Sequence, residues 1–212
     1  MNNKVLMLFS GGPDCVVAAA VLKQKGFEIT NLHFQYGQKA AARERQAVER
    51  LSEAMGAKLI VQECNVFTNI RSSLLEGDNV KGRDLAGRAA YVPARNLIFF
   101  AIATGMSQGL DAGYIGIGNI AMGGNVDNYP EFTKRVDALL PYALTDHHVR
   151  AISPVNHLLK PDVIKLGLEL KAPLHLSWSC YESGKDPCGD CAGCTNRKKA
   201  FDAIGATDKI EL

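Results

Sequence analysis

The sequence contains no long apolar run. Hydrophobic residues make up 47% of its 212 residues, yet none of its apolar stretches approaches the roughly 20 residues that a membrane span needs. The apolar run at residues 5–9 is too short for the core of a signal peptide, and no cleavage-site pattern follows it. We therefore expect a cytoplasmic protein without membrane contact.

A charge imbalance, internal repeats and low-complexity tracts are also absent. The chain carries 24 Lys and Arg against 22 Asp and Glu, a formal net charge of +2. This near balance does not indicate a nucleic-acid partner, and we expect no direct nucleic-acid binding. Charged residues make up 22% of the chain, which is ordinary for a globular domain.

Two common nucleotide-binding motifs are missing. The chain has neither the Lys-Ser/Thr pair of a Walker A loop nor the spacing G-x-G-x-x-G. It has instead SGGPDC at residues 10–15, between an apolar run and a helical pattern. Glycines let successive N–H groups approach an anion, and the following helix adds its positive dipole end. We predict a phosphate cradle in which Asp14 holds Mg²⁺; the alternative is a tight turn.

Apolar periodicity predicts alternating strands and helices. Strands are predicted at 4–9, 27–37, 58–66 and 112–118, and helices at 16–25, 40–57, 96–108, 131–140 and 160–170. This order is typical of an α/β fold with a parallel sheet covered by helices on both faces. Residues 67–88 are predicted to form a mobile loop or lid, and Gly123–Asn128 a second loop. No element is assigned to 141–151, where His147 and His148 are expected at the surface.

Four of the six cysteines lie close together near the C-terminal end. Cys180, Cys188, Cys191 and Cys194 form overlapping C-x-x-C pairs, a spacing that suits a closed tetrahedral zinc site with a structural role. An iron–sulfur cluster is the alternative metal centre, and free thiols are the alternative without a metal. The basic residues that follow on a short predicted helix either form a solvated face or lie near an anionic substrate: Arg197, Lys198 and Lys199.

Several stretches together resemble one family. These are SGGPDC, FQYGQ (34–38), YVPARN (91–96), LKPDVIKLGLEL (159–170) and the cysteine segment 176–201. They resemble the QueC family of 7-cyano-7-deazaguanine synthases, within the PP-loop ATP pyrophosphatases. The resemblance implies an adenine-nucleotide alpha hydrolase-like, Rossmann-like domain over residues 1–175 and a zinc-binding C-terminal subregion over 176–212. It is compatible with a homodimer.

The resemblance also implies an activity. The chain is expected to be an ATP-dependent C–N ligase that adenylates the carboxylate of 7-carboxy-7-deazaguanine, transfers ammonia to it and dehydrates the amide to the nitrile. The product belongs to queuosine-type tRNA modification. The implied cofactors are ATP, Mg²⁺ and structural zinc.

Site residues follow from the same resemblance. Asp14, Arg95 and Lys160 are expected to be catalytic and to contact phosphate or Mg²⁺; for Arg95 the alternative is a surface ion pair, and for Lys160 a solvated side chain. Further nucleotide contacts are expected from Leu8, Phe9, Ser10, Gly11, Gly12, Cys15 and Gly116. Substrate contacts are expected from Tyr91, Asn119, Tyr129 and Glu131. Trp178 and Tyr181 are expected to serve packing.

The sequence departs from the family pattern in two places. Cys15 stands where the family has Ser or Thr, and a thiol donates a weaker hydrogen bond. The segment 119–132, NIAMGGNVDNYPEF, lacks the D-C-R of the family. Two alternatives therefore stay open. The enzyme could deliver the activated carboxylate to another amine, such as a protein amine, through an entrance widened at Gly123 and Gly124. The fold could also serve as a non-catalytic nucleotide-binding module.

Overall fold

A five-stranded parallel sheet forms the centre of the molecule. The computed structural model describes residues 2–75, 91–120 and 125–211. Its strands are β1 (Lys4–Leu8), β2 (Glu28–Gln35), β3 (Lys58–Glu63), β4 (Tyr114–Ile117) and β5 (Arg150–Ile152). They are ordered β3-β2-β1-β4-β5, and all paired strands are parallel. The predicted fold class is confirmed, and the first four strands lie where the sequence predicts them.

In the part of the chain that the structure describes, six α-helices flank the sheet. They are α1 (Pro13–Gln24), α2 (Ala41–Met55), α3 (Arg95–Gly109), α4 (Pro130–Leu139), α5 (Lys160–Glu169) and α6 (Ala192–Ala203). Helix α1 begins three residues earlier than predicted, because Pro13 suits the first helical position. Its first turn therefore contains Asp14 and Cys15. Most of the predicted lid lies outside the described residues, as do Gly123 and Gly124.

The helices bury an apolar layer on each face of the sheet. One layer contains side chains from α1, α2, α5 and α6, including Val16, Leu51, Ile164 and Phe201. The other contains side chains from α3 and α4, including Phe100 and Val136. Within the described ranges, no helix is both long and apolar enough to span a membrane.

The strand order places a switch point beside β1. The chain passes from β1 outward to β2 and β3, and it then returns to β4 on the other side of β1. Connections leave β1 in opposite directions at such a point, which opens a crevice at the carboxyl ends of the strands where ligands bind. The loop at residues 10–15, hereafter the 10–15 loop, leaves β1 at this edge.

A buried histidine makes the stability of this fold depend on pH. His33 is 1% exposed, and its Nδ1 donates to the Phe9 carbonyl at 3.1 Å. Burial lowers the pKa of His33 to about 4 from the usual 6.5. Between pH 6.5 and about pH 4, the imidazole of the unfolded chain is protonated while the buried His33 of the folded chain is not. Acidification through this range therefore favours unfolding.

We expect a His33→Asn variant, whose amide still reaches the Phe9 carbonyl, to lose this pH dependence. Between about pH 7.5 and about pH 5, the free energy of unfolding should fall by about 2 kcal/mol more in the parent protein than in the variant. Urea unfolding at both pH values measures the difference. The exposed His148 provides the control, since His148→Asn should follow the parent. Parallel pH profiles for the parent and His33→Asn would contradict the assignment.

Candidate active site

A cavity of about 490 Å³ opens at the carboxyl edge of the sheet. Its floor and walls come from the ends of β1, β2 and β4, the first turn of α1, the N-terminal part of α3, and the start of α6. This volume lies within the range of about 300–1,000 Å³ that is usual for small-molecule sites. The cavity therefore lies at the switch point where the topology predicts a ligand.

The 10–15 loop holds itself through short-range contacts. Gly11 has φ +80°, and a Cβ at this position would lie 3.1 Å from Val48 Cγ1 of α2. A side chain here would be strained as well as crowded. The Cys15 thiol donates to the Gly12 carbonyl at 3.0 Å, and its sulfur lies 3.4 Å from Ser10 Oγ. Burial raises the pKa of the Cys15 thiol, so Cys15 is a neutral donor that stabilises the loop.

A charged pair lies on the floor of the cavity. Lys160 Nζ, at the start of α5, lies 2.7 Å from each carboxylate oxygen of Asp14. The two side chains are only 12% and 24% exposed. Helices α5 and α1 thus bring together two residues that are 146 positions apart. Their predicted roles toward Mg²⁺ and phosphate stay predictions, but an acid and a cation side by side suit a metal-bound polyphosphate.

Arg95 forms a second polar group on the wall. Its Nη1 donates to the Tyr36 hydroxyl at 3.0 Å, and Glu44 of α2 lies close enough to interact with its charge. Glu44 accepts from Gln38 Nε2 at 2.9 Å, and burial raises the pKa of the Glu44 carboxyl. Arg95 follows Ala94, which has φ 57°, a conformation that costs an L-residue about 1 kcal/mol. Strain of this kind is found where function fixes the backbone.

Glu44 was missed by the sequence analysis. It lies in the first turn of α2, where an acidic residue is normally explained by the helix dipole. The sequence feature that points to Glu44 is its position six residues after Gln38 of the FQYGQ stretch. The structure places it on the cavity lining instead.

The predicted substrate residues are divided between two locations. Tyr91 and Asn119 line the cavity, whereas Tyr129 and Glu131 do not. Tyr129 is 43% exposed, and Glu131 forms a surface ion pair with Arg135. The assignment of Tyr129 and Glu131 to the pocket was based on motif alignment alone. Tyr129 is the N-cap of α4 and Glu131 lies in the first turn of that helix, outside the cavity lining.

Asn119 already uses its amide within the protein. Its Nδ2 donates to the carbonyls of Asp127 and Asn128 at 3.2 Å each, and its Oδ1 accepts from Ser153 Oγ at 2.6 Å. Asn119 therefore fixes the segment 125–128 against the end of β4.

Two predicted nucleotide contacts also lie outside the lining. Gly116 pairs with Met7 inside the sheet, and a Cβ there would lie 2.7 Å from Met7 Sδ. Gly11 turns toward α2 rather than the cavity. Gly118, two residues after Gly116, is the glycine of this segment that lines the cavity, because β4 ends at Ile117. The remaining predicted contacts all line it: Leu8, Phe9, Ser10, Gly12, Asp14, Cys15, Arg95 and Lys160.

The four clustered cysteines form a candidate metal centre. The Sγ atoms of Cys180, Cys188, Cys191 and Cys194 all lie within 4.8 Å of one another. A tetrahedral zinc site with Zn–S bonds of about 2.3 Å places its sulfurs about 3.8 Å apart, so the arrangement fits. Cys191 also caps α6 by accepting from the Cys194 N–H. The cluster therefore fixes the start of α6 beside the cavity.

Arg197 corrects an expectation. The sequence placed it on a solvated face or near an anionic substrate, but the structure buries it to 2% exposure. It forms a bidentate pair with Asp208, at 2.7 and 2.8 Å, and donates to the Ser177 and Leu174 carbonyls. A planar guanidinium can satisfy several acceptors at once, which stabilises it inside the protein.

Comparison with known proteins decides the family. A family model described as "Queuosine biosynthesis protein QueC" matches residues 4–205. The chain belongs to the QueC family. A 7-cyano-7-deazaguanine synthase of Nitratiruptor sp. is 33% identical over 214 residues, which cover 98% of this chain and 97% of that protein.

Some QueC relatives are longer than this chain. The 7-cyano-7-deazaguanine synthase 2 of Sulfurisphaera tokodaii is 41% identical over 218 residues. The match covers 98% of this chain but 47% of the relative, so the chain spans about half the length of that protein.

A solved structure supports the fold alone. The U34-tRNA thiolase NcsA from Methanococcus maripaludis, which was solved with its [4Fe-4S] cluster, superposes with a TM-score of 0.53 at 19% identity. The superposition covers 97% of this chain and 66% of that one.

Proposed function

We propose that this QueC-family chain is an ATP-dependent 7-cyano-7-deazaguanine synthase. The observation that carries the proposal is the Asp14–Lys160 pair on the floor of the cavity, directly at the 10–15 loop. Arg95 supplies a second cation on the same lining. A carboxylate for a metal, two cations for phosphates and an N–H-rich loop are the groups that ATP cleavage at the α-phosphate needs. The name of a relative that is matched over 97% of its length supplies the product, and the family resemblance implies 7-carboxy-7-deazaguanine as the substrate.

The charged residues of the cavity have different roles in the first step of the reaction. The carboxylate of 7-carboxy-7-deazaguanine attacks the α-phosphate, which gives an acyl-adenylate and releases pyrophosphate. Lys160 and Arg95 offset the negative charge that builds on the departing pyrophosphate. Asp14 holds Mg²⁺, which, when bound, neutralises phosphate charge. We propose zinc for the four-cysteine centre, in a structural role, since four thiolates leave no coordination position for a substrate.

The later steps need a nitrogen donor and a second activation. Ammonia displaces AMP from the acyl-adenylate and leaves the amide. A second ATP adenylates the amide oxygen and releases a second pyrophosphate. The C–O bond then breaks, the oxygen leaves as part of AMP, and loss of the two N–H protons gives the nitrile. The buried Asn119 and the half-buried Phe99 on the lining limit access of water, which otherwise hydrolyses the adenylate.

We expect purified protein with ATP, Mg²⁺, 7-carboxy-7-deazaguanine and ¹⁵N-ammonium to form ¹⁵N-labelled 7-cyano-7-deazaguanine, AMP and pyrophosphate. Mass spectrometry of the products measures all three, and a reaction without the carboxylate substrate is the control. Absence of pyrophosphate would exclude the proposed function. Release of AMP and pyrophosphate with the adenylate as end product would favour another amine as the acceptor, whereas a ¹⁵N-labelled amide as end product would show that the reaction stops before dehydration.

A further inference from the structure

One wall of the cavity comes from the region of the cysteine cluster. Trp178 and Ser179 precede Cys180, and Ala192, Gly193 and Asn196 lie on α6, and all five line the cavity. We call these five residues the donor wall. None of them has a role in the function proposed above. The wall lies next to the 10–15 loop, since a Cβ at Gly12 would be 3.7 Å from the Trp178 carbonyl oxygen.

The free polar groups of the donor wall are mainly hydrogen-bond donors. Trp178 is 3% exposed, and its indole N–H is buried without a partner among the described residues. An indole nitrogen can only donate, and a buried donor without an acceptor destabilises the protein until a ligand supplies one. The Ala192 and Gly193 N–H groups, in the first turn of α6, have no acceptor within the helix, whereas the Cys194 N–H donates to Cys191.

Two side chains extend this set. The half-buried Asn196 amide makes no hydrogen bond with any other residue in the described part of the chain, so its NH₂ group is available to a ligand. Ser179 Oγ lies 3.4 Å from Arg197 Nη1, from which it accepts, and its own proton therefore stays free to donate. Several free donors on one wall of the cavity suit an anion.

The wall is held in a fixed position. Arg197 donates to Ser177 Oγ at 2.7 Å and to the Ser177 carbonyl at 2.9 Å. The backbone N–H of Trp178 donates to the Gly11 carbonyl at 3.0 Å, and this bond holds the segment against the 10–15 loop. Gly193 packs so closely that a Cβ there would lie 1.9 Å from the Ser179 carbonyl oxygen. Donors fixed before the ligand arrives bind it without a further loss of conformational freedom.

The position of the wall favours the phosphates of ATP over a base. A guanine-like base presents donors as well as acceptors, and it needs protein acceptors that the indole N–H and the helix N-terminus cannot supply. Pyrophosphate presents only acceptor oxygens. Because the wall adjoins Gly12 and the same cavity contains the Asp14–Lys160 pair, phosphates in the 10–15 loop come within its reach.

We propose that the donor wall binds the pyrophosphate half of ATP beside the 10–15 loop, with the Asn196 amide and the Trp178 indole N–H as hydrogen-bond donors. The region of the cysteine cluster would then supply direct contacts to the leaving group in addition to its structural role. This inference rests on the proposed function only in taking ATP as the nucleotide.

The test compares nucleotides with and without the pyrophosphate half. Titration calorimetry with Mg²⁺ measures the dissociation constants of ATP, pyrophosphate and AMP for the parent, Asn196→Asp and Trp178→Phe. Asn196→Asp replaces donors by a negative acceptor of the same size. We expect ATP and pyrophosphate to bind about tenfold or more weakly to each variant, because hydrogen bonds to charged groups are lost, and AMP binding to change less than about twofold.

Asn65→Asp is the matched control, because Asn65 is exposed and does not line the cavity. It adds the same charge and should leave all three dissociation constants unchanged. Thermal unfolding and metal content confirm that each variant is folded. An equal loss of affinity for ATP and AMP, or no loss for either, would overturn the inference. ATP binding without pyrophosphate release would count against the proposed function alone, whereas the ratio of ATP to AMP affinity decides the inference.

Discussion

Asp14→Asn is expected to lower the rate of pyrophosphate release by about 10³-fold or more at saturating ATP. A neutral amide holds Mg²⁺ far more weakly than a carboxylate does. It also removes the partner of Lys160, which lies 2.7 Å from both Asp14 oxygens. The phosphates then lose their metal, and the Lys160 ammonium group is no longer held in place. Initial rates of pyrophosphate release over a range of ATP and Mg²⁺ concentrations measure the effect.

The chain offers a matched control for Asp14→Asn. Asp137 forms a similar ion pair with Arg150, with contacts of 2.7 to 3.0 Å, but it does not line the cavity. Asp137→Asn should keep the parent rate. If Asp14 and Lys160 act as one unit, Asp14→Asn combined with Lys160→Met should lose no more than the worse single variant. A rate within tenfold of the parent for Asp14→Asn would show that another group holds the metal.

Local patterns were sufficient for four of the five strands and for the residues of the 10–15 loop. The first four strands alternate along the chain with helical patterns, and a parallel sheet is the usual solution for that order. The three-residue β5 (Arg150–Ile152) was missed because three residues carry no measurable periodicity. It forms only because Tyr114–Gly116 of β4 offer a register for pairing.

The parts of the site that depend on long-range pairing could not be predicted. Sequence reasoning singled out Lys160 and Asp14 separately, but their mutual contact depends on how α5 packs against α1. Arg197 was expected near solvent or substrate, because nothing in the local sequence shows that Asp208 returns to neutralise it. Tyr129 and Glu131 were placed in the pocket by motif alignment, which does not determine the direction in which α4 presents its side chains.

Gly118→Ala is expected to damage both stability and activity, although it adds a single methyl group. A Cβ at Gly118 would lie 2.4 Å from Cys15 Cα and 2.6 Å from Cys15 N. Both contacts are with backbone at the start of α1, so no side-chain rotation relieves them. The variant should lose about 1–3 kcal/mol of unfolding free energy and about 10²-fold in pyrophosphate release, because Asp14 is displaced with the backbone. Urea unfolding and initial rates measure the two losses.

Gly105→Ala reverses the sign of the stability change. Gly105 lies within α3, and a Cβ there meets nothing within 4 Å. The same substitution should therefore stabilise the protein by about 0.5–1 kcal/mol through helix propensity and leave the rate unchanged. Comparison of the two variants separates the general effect of an added methyl group from the effect of its contact with the backbone of the 10–15 loop. If Gly118→Ala has the same stability and rate as the parent, β4 can move away from α1 without displacing Asp14. Close packing of Gly118 against Cys15 would then not determine the position of the Asp14 carboxylate.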